Sequence, residues 1–413
     1  MIQSNALEVL KEGHNVFLTG EAGSGKSHTI CEFVKWMKKE GITYAITATT
    51  GIAASHINGS TIHSWAGLGI KRRLTKEQVA GIKRNQWVAK KIKATDVLII
   101  DEISMMDAVA LEDVDAVLRA IRSKLEPFGG LQVVFVGDFF QLPPVVREPE
   151  ERLFAFESGS WELAMPEVCY LTEQHRQDDP VFLEVLTAMR HGTITDQHKE
   201  ILAKCALTAK PVTQLYTHNA DVDRVNAMEL AKIDEKEHSF TMKTSGIDFL
   251  VATLKRGCLS PEKLVLKKGA TVMFTRNNFD EGYVNGSIGV VTEFMKNGLP
   301  KIKLQNGQTV MPDKAEWKFE EDGHVKAWIK QIPLRLAWAV TVHKSQGMSL
   351  DSAKMDLSKV FEFGQGYVAI SRVKSLAGLH IRGLNDNVYM MHPKVIAADK
   401  LFRKADGVAS KLL

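Results

Sequence analysis

The sequence predicts an α/β fold built on doubly wound parallel sheets, and three observations carry that prediction. Through about residue 165, short apolar strands alternate with amphipathic helical stretches, the pattern of a parallel sheet with helices on its faces. The first of those strands runs into a glycine-rich loop that opens a helix. From about residue 254 to 332 the pattern changes to short β-rich runs joined by Asn-Gly turns. That change predicts a small β-barrel-like module set into a second parallel sheet, itself made from residues 166–253 and 333–413.

The opening strand, Asn15 to Thr19, is β-branched and aromatic and reads as buried. Gly20, Ala22, Gly23, Ser24 and Gly25 follow, with Lys26 and Ser27 beginning a helix that runs to about Lys39. The glycines let successive N–H groups and the helix N-terminus converge on phosphate oxygens. Lys26 then reaches the β- and γ-phosphates, and the Ser27 hydroxyl ligates Mg²⁺. Ahead of this strand lies a short helix, Ser4 to Lys11, preceded by Gln3, whose amide has the paired donor and acceptor that an adenine edge requires.

A second strand, Thr43 to Ala48, leads into Thr49, Thr50, Gly51, Ile52, Ala53 and Ala54, small residues that suit close approach to a ligand backbone. Thr61, His63, Ser64 and Trp65 combine hydroxyls, an imidazole and an indole, a mixture fitted to single-stranded nucleic acid; a core position is the other reading of Trp65. Between Lys71 and Lys93 the chain carries nine cationic side chains against the single acid Glu77, either a solvated face or a nucleic-acid contact. The apolar strand Val97 to Ile100 ends in Asp101 and Glu102. Asp101 is placed to hold Mg²⁺ through water and Glu102 to polarise the attacking water. After a helix over 108–124 and a strand over 132–136, Gln141 sits at a strand tip, where it senses the γ-phosphate, and Pro143 and Pro144 stiffen the turn.

Composition narrows the class. The chain has 413 residues, enough for two to four domains, and its 45% hydrophobic and 25% charged residues describe a globular protein. No apolar span is long enough for a membrane helix and no leader is evident, so the expected location is cytoplasmic. Cys31, Cys169, Cys205 and Cys258 are too scattered for a zinc site or a disulfide framework, which fits a reducing compartment. A net charge of +4 permits a nucleic-acid partner without arguing for one.

The ordered set of motifs resembles the Pif-family DNA helicases, superfamily-one enzymes related to Dda and RecD. The resemblance runs from Gln3 to Gly383. It is carried by the phosphate loop, 49–54 with 61–64, Asp101 to Met105, 137–145, Gln174-His175-Arg176-Gln177, 343–347, 367–372, and Pro127-Phe128-Gly129-Gly130. It implies two RecA-like lobes (1–165, and 166–253 with 333–413) with ATP and Mg²⁺ in the cleft between them. It further implies a wedge insertion at 66–93 and an SH3-like barrel insertion at 254–332. By position, Gln3 resembles the adenine-reading glutamine, and Arg176 and Arg372 resemble second-lobe arginines on the γ-phosphate. Gln141, Gln346 and Gly347 resemble residues that line the cleft. A DNA track is implied over Thr50, Gly51, Thr61, His63, Ser64, Phe140 and Pro143, continuing over Thr341, His343 and Lys344. The family translocates 5′ to 3′ on single-stranded DNA and opens forks. A chain free of the long eukaryotic extensions implies a bacterial or phage source and a monomer in the free state. The same motifs also suit an RNA helicase or RNA–DNA hybrid remodeller, or a nucleotide-switched nucleic-acid-binding protein.

Overall fold

The computed structural model describes residues 1–50, 53–54, 59–69, 71–145, 151–177, 179–205, 212–276, 278, 281–283, 285–304, 306–321, 324–342, 345 and 349–409. The chain divides into two compact units. One holds residues 1–198, 361–371 and 386 onward; the other holds 199–360 and 372–385.

The first unit is built on a six-stranded parallel sheet. Its strands are β1 (Val16–Gly20), β2 (Tyr44–Ala48), β3 (Ser60–Thr61), β4 (Val97–Asp101), β5 (Gln132–Val136) and β6 (Glu167–Leu171), in the order β3-β2-β4-β5-β1-β6. Continuous apolar runs are what a strand covered on both faces needs, and every residue of β1 is buried. Helix α1 (Gln3–Lys11) contributes Ala6, Val9 and Leu10, and α2 (Lys26–Glu40) contributes Ile30, Phe33 and Met37, to a core shared with Val16, Leu18, Ile99 and Val134. Because all six strands run the same way, the loops that follow β1, β4, β5 and β6 leave from one edge, the place where open α/β sheets bind ligands.

The sheet reaches further along the chain than the sequence suggests. β6 pairs in parallel with β1 over the register Val16↔Glu167 to Gly20↔Leu171, so a strand assigned by periodicity to the second lobe lies in the first sheet. The helices Pro180–His191 and Pro393–Ala409 belong to the same unit. Periodicity identifies a buried strand but does not say which sheet receives it.

The basic insertion forms two short helices, Lys76–Arg84 and Gln86–Lys93, the first started by a Thr75–Gln78 capping box. Its entry is fastened to the helix Ala108–Arg122: Arg72 Nη1 meets Asp107 Oδ2 at 2.6 Å, and Asp113 accepts the backbone N–H groups of Arg73 and Leu74 at 2.9 and 2.8 Å. Trp65 is buried, so the core reading holds for it, and Lys91 lies over the ring of Trp87 at 4.0 Å. Lys76, Lys83, Arg84, Lys90 and Lys93 are exposed.

In the second unit a four-stranded parallel sheet takes the order Ala339–Thr341, Thr213–Tyr216, Ala353–Leu357, Leu379–Leu384. Antiparallel strands make up the inserted module. Thr309–Val310, Pro300–Leu304, Ile288–Phe294, Thr271–Phe274 and Leu334–Leu336 form one sheet, and Ala315–Glu321, His324–Gln331 and Lys243–Gly246 form another. The module therefore draws on strands outside 254–332, because Lys243–Gly246 pairs with His324–Gln331 and Leu334–Leu336 pairs with Thr271–Phe274. Pro300–Leu304 and Thr309–Val310 pair as a hairpin, Ile302↔Val310 and Lys303↔Thr309, with Gly307 at φ +87° between them. Among the described residues no helix is long and apolar enough to cross a membrane.

Asp107 does two jobs at once, since its Oδ1 also accepts the Ala110 N–H as the cap of the helix that follows. Asp107→Ala is expected to cost about 1–2 kcal/mol in urea denaturation, the usual loss for a helix cap, and more than Arg72→Ala, which removes only a half-exposed partner. Equal losses would mean that the cap bond contributes nothing.

Candidate active site

The loop after β1 is shaped by glycine conformation and close packing. Gly25 caps α2 in the left-handed region (φ +89°) and Gly23 has φ +90°, both open to glycine without strain. A Cβ at Gly23 would stand 2.6 Å from that of Arg176, and one at Gly20 would stand 2.6 Å from the Leu171 carbonyl oxygen. Lys26 Nζ donates to the carbonyl oxygens of Gly20 and Glu21 at 2.9 Å each and to Ser24 Oγ at 3.4 Å. Burial draws its pKa down to about 8, countered by Asp138 and deepened by Arg190. An enclosed ammonium ringed by loop carbonyls fits an added anion well. Ser24 is buried within the loop, and Ser27 is exposed on the first turn of α2.

Asp101 ends β4 and accepts the Glu102 N–H at 2.8 Å. Burial raises its carboxyl pKa, against the pull of that bond and of Lys26. A desolvated carboxylate at the end of β4 suits a hard divalent cation that keeps waters and substrate phosphates as its other ligands. Glu102 has left-handed backbone (φ 52°, ψ 45°), a conformation costing a non-glycine residue about 1–2 kcal/mol. Its carbonyl oxygen accepts from Thr49 Oγ1 at 3.0 Å, which helps to hold the turn. Gln141 is buried after β5, its N–H donating to the Asp138 carbonyl at 2.9 Å.

Arg176 reaches the same place from the loop after β6. Its Nη1 donates to the Ser371 carbonyl at 3.3 Å, and burial lowers its pKa against Tyr367 and Glu102. The neighbouring His175 N–H donates to the Gly23 carbonyl at 3.1 Å. Lys26, Ser27, Asp101, Glu102, Gln141 and Arg176 thus gather on one unit, at the edge where β1, β4, β5 and β6 end. The expectation that Arg176 belongs with Arg372 on the second lobe is not met: β6 carries it into the first unit, whereas Arg372 is buried in the second.

A family profile described as PIF1-like helicase matches residues 3–200, and one described as DNA helicase Pif1, 2B domain, matches residues 249–294. The ATP-dependent DNA helicase Pif1 of Psychrobacter sp. (strain PRwf-1) is 39% identical over 98% of this chain and 71% of its own length. The chain belongs to the PIF1-like helicase family. Among solved structures, Bacteroides sp Pif1 in complex with ADP-AlF4 matches with a TM-score of 0.84 at 28% identity, over 97% of this chain and 96% of the other. Bacteroides Pif1 bound to ssDNA matches with a TM-score of 0.70 at 29% identity, over 98% and 97%.

The residues carried over from the family as a DNA track have mixed surroundings. Thr50 Oγ1 accepts the Ala53 N–H at 3.2 Å, and Thr61 Oγ1 accepts the Ser64 N–H at 3.2 Å as a helix cap. His63 and Ser64 are half-buried, and burial lowers the His63 pKa, opposed by Asp107. Phe140 and Pro143 are buried, so in this form neither offers a face to a base: the Phe140 ring is covered by the Arg190 guanidinium, 4.3 Å away. Thr341 is buried in its strand. Gly51, His343, Lys344, Gln346 and Gly347 lie outside the described residues.

Sequence reasoning missed Arg190. It is fully buried on the helix Pro180–His191, where Nη1 meets Asp138 Oδ2 at 2.6 Å and Tyr367 Oη at 3.3 Å, and Nη2 donates to Tyr170 Oη at 2.8 Å. Its Nε faces Glu21 Oε1 at 3.9 Å. Burial opposes its charge, but Asp138, Tyr367, Tyr170 and Glu21 outweigh that and hold its pKa well above the ordinary value. Tyr367, its hydroxyl accepting the Ala22 N–H at 3.3 Å, is pushed up to about 12 by burial. A signal was present: Arg190 falls on the apolar stripe of Phe182, Val185, Leu186 and Met189, where a lone guanidinium must have partners. Arg190→Met leaves the Asp138 carboxylate buried and unpaired, an expected loss of about 3–5 kcal/mol. Adding Asp138→Asn should recover a large part of it in thermal and urea melts, and a double variant as unstable as Arg190→Met would show that the pair is not coupled.

Proposed function

We propose that the chain is an ATP-dependent DNA helicase that moves 5′ to 3′ on single-stranded DNA and opens forks. The observation that carries this is the gathering of Lys26, Asp101, Glu102 and Arg176 at one sheet edge, in a chain of the PIF1-like helicase family. ATP is the substrate, with its phosphates on the 18–27 loop and its base read by Gln3. Ser27 and Asp101 hold Mg²⁺, which when bound neutralises phosphate charge. Lys26 exchanges the Gly20 and Glu21 carbonyls for phosphate oxygens. Glu102 takes the proton of the attacking water, its carboxylate carried on a strained turn. Gln141 reads the γ-phosphate from the tip of β5. Arg176 supplies charge from the same unit, and Arg372 is the second arginine, carried by the other unit. Thr50, Thr61, His63, Ser64 and Thr341 touch the strand, and the exposed lysines of the 66–93 insertion meet the fork. The protein acts as a monomer in the free state, in the cytoplasm.

ATPase rate measured against single-stranded DNA concentration tests the reading. Wild type should show low turnover without DNA and strong stimulation with it, and RNA should stimulate less. Glu102→Gln should bind ATP and lose about 10²-fold or more in turnover, the scale of general-base catalysis. Arg372→Ala should lose the stimulation, an effect typically worth about 10³- to 10⁵-fold, while DNA affinity stays near wild type. Arg372→Lys should rescue poorly because it lacks the planar fork. Arg176→Ala, in the same unit as the loop, should lower turnover with and without DNA. Full stimulation in Arg372→Ala would remove that residue from the reaction.

The insertion supplies an independent check. Alanine at Lys83, Arg84, Lys90 and Lys93 should slow fork unwinding more than strand-stimulated ATPase. For every cation that no longer neutralises a phosphate, the salt dependence of fork affinity should flatten by about one unit of slope. Unwinding that is unchanged across a salt series would leave these side chains as a solvated face.

A further inference from the structure

The amide of Gln3 is held on both sides by histidines. Its Oε1 accepts from His28 Nδ1 at 2.9 Å, and its Nε2 donates to His175 Nε2 at 2.6 Å. Its backbone N–H donates to Glu173 Oε2 at 2.8 Å, and its Nε2 lies where any Cβ on Gly25 would collide with it. The three side chains come from α1, from the first turn of α2 and from the loop after β6, so the amide is fixed between elements that also build the phosphate loop.

A primary amide has two acceptor lone pairs and two donor hydrogens. His28 occupies one lone pair and His175 one hydrogen. What remains is one acceptor and one donor, a pair that matches the N6 amino group and N7 of adenine. An unheld amide swaps its oxygen and nitrogen by rotating half a turn. An amide held by rings that both carry their proton on Nδ1, so that His28 donates and His175 accepts, keeps its carbonyl where N6 must come, and guanine, which presents O6 and N7 as two acceptors, then meets oxygen with oxygen. We infer that His28 and His175 are positioning residues that fix the amide of Gln3 and so set the preference for adenine over guanine nucleotides. The inference rests on the proposed reading of Gln3 as the residue that recognises the base.

DNA-stimulated hydrolysis of ATP and of GTP, as kcat and KM, tests it in wild type, Gln3→Ala, His28→Ala, His175→Ala and the double histidine variant. Each histidine variant should lower the ATP-to-GTP ratio of kcat/KM by about 3- to 10-fold, the worth of one hydrogen bond. The change should lie in the KM for ATP, with kcat at saturation within about twofold of wild type. His175→Gln, which restores an acceptor, should recover part of the ratio. A packing role alone would lower thermal stability, or turn over both nucleotides more slowly, and leave the ratio where it was; that result overturns the inference. If Gln3→Ala lowers the ratio and the double histidine variant does not, the histidines are bystanders and only the inference fails. If Gln3→Ala itself leaves the ratio unchanged, the reading of Gln3 fails and the inference goes with it.

Discussion

Arg190 is buried among apolar side chains, and its charge is tolerated because Asp138 and two tyrosine hydroxyls meet its Nη atoms and the Phe140 ring covers its face. Glu21 stands 3.9 Å from Nε, which has no hydrogen bond among the described residues. Asp138 comes from the end of β5, Tyr170 from β6, Phe140 from the turn beyond Asp138, and Tyr367 from the segment 365–370. Tyr367 also binds the Ala22 N–H inside the phosphate loop. One guanidinium therefore ties four parts of the chain to the loop that must hold a triphosphate. Such a cluster need not add stability over an apolar packing of the same volume. What it specifies is register, because an element displaced from it leaves a buried charge without a partner.

That constraint explains why strain can persist nearby. Glu102 keeps left-handed backbone between Asp101, which accepts its N–H, and Thr49, which donates to its carbonyl. A surface turn would relax by rotating or would use glycine. Here the parallel strands on either side of β4 set where the turn begins. The strained residue is the one proposed above to act on the attacking water, and a rigid scaffold that over-determines a few positions is what lets such strain persist.

Most of the first sheet was legible because buried parallel strands are short apolar runs and the loops between them carry recognisable chemistry. The turns of the loop after β1 were legible at Gly23 and Gly25, whose positive φ the structure shows. The boundary after residue 165 was not legible, because β6 looks the same whether it adds to one sheet or begins another, and Arg176 was assigned to the wrong unit with it. Phe140 was placed on the DNA track by the family resemblance; its cover, Arg190, lies fifty residues away in sequence and could not be inferred locally.

The chain's own groups already hold two of the side chains proposed to meet a nucleotide. Lys26 rests on the carbonyls of Gly20 and Glu21, and the amide of Gln3 rests between two imidazoles. These two cases differ in kind. A lysine has no acceptor, so the hydrogens it gives to the two carbonyls must leave them in order to grip phosphate, and burial, by drawing its pKa down to about 8, has already weakened its hold on charge. The amide gives up nothing, because the histidines occupy only half of its hydrogen-bonding capacity. On the proposed reading, the phosphate end of the site exchanges one set of bonds for another on binding, while the base end is pre-organised and adds to what it has. Binding energy at the base end comes with little reorganisation, and that is the arrangement in which recognition of the base is sharpest.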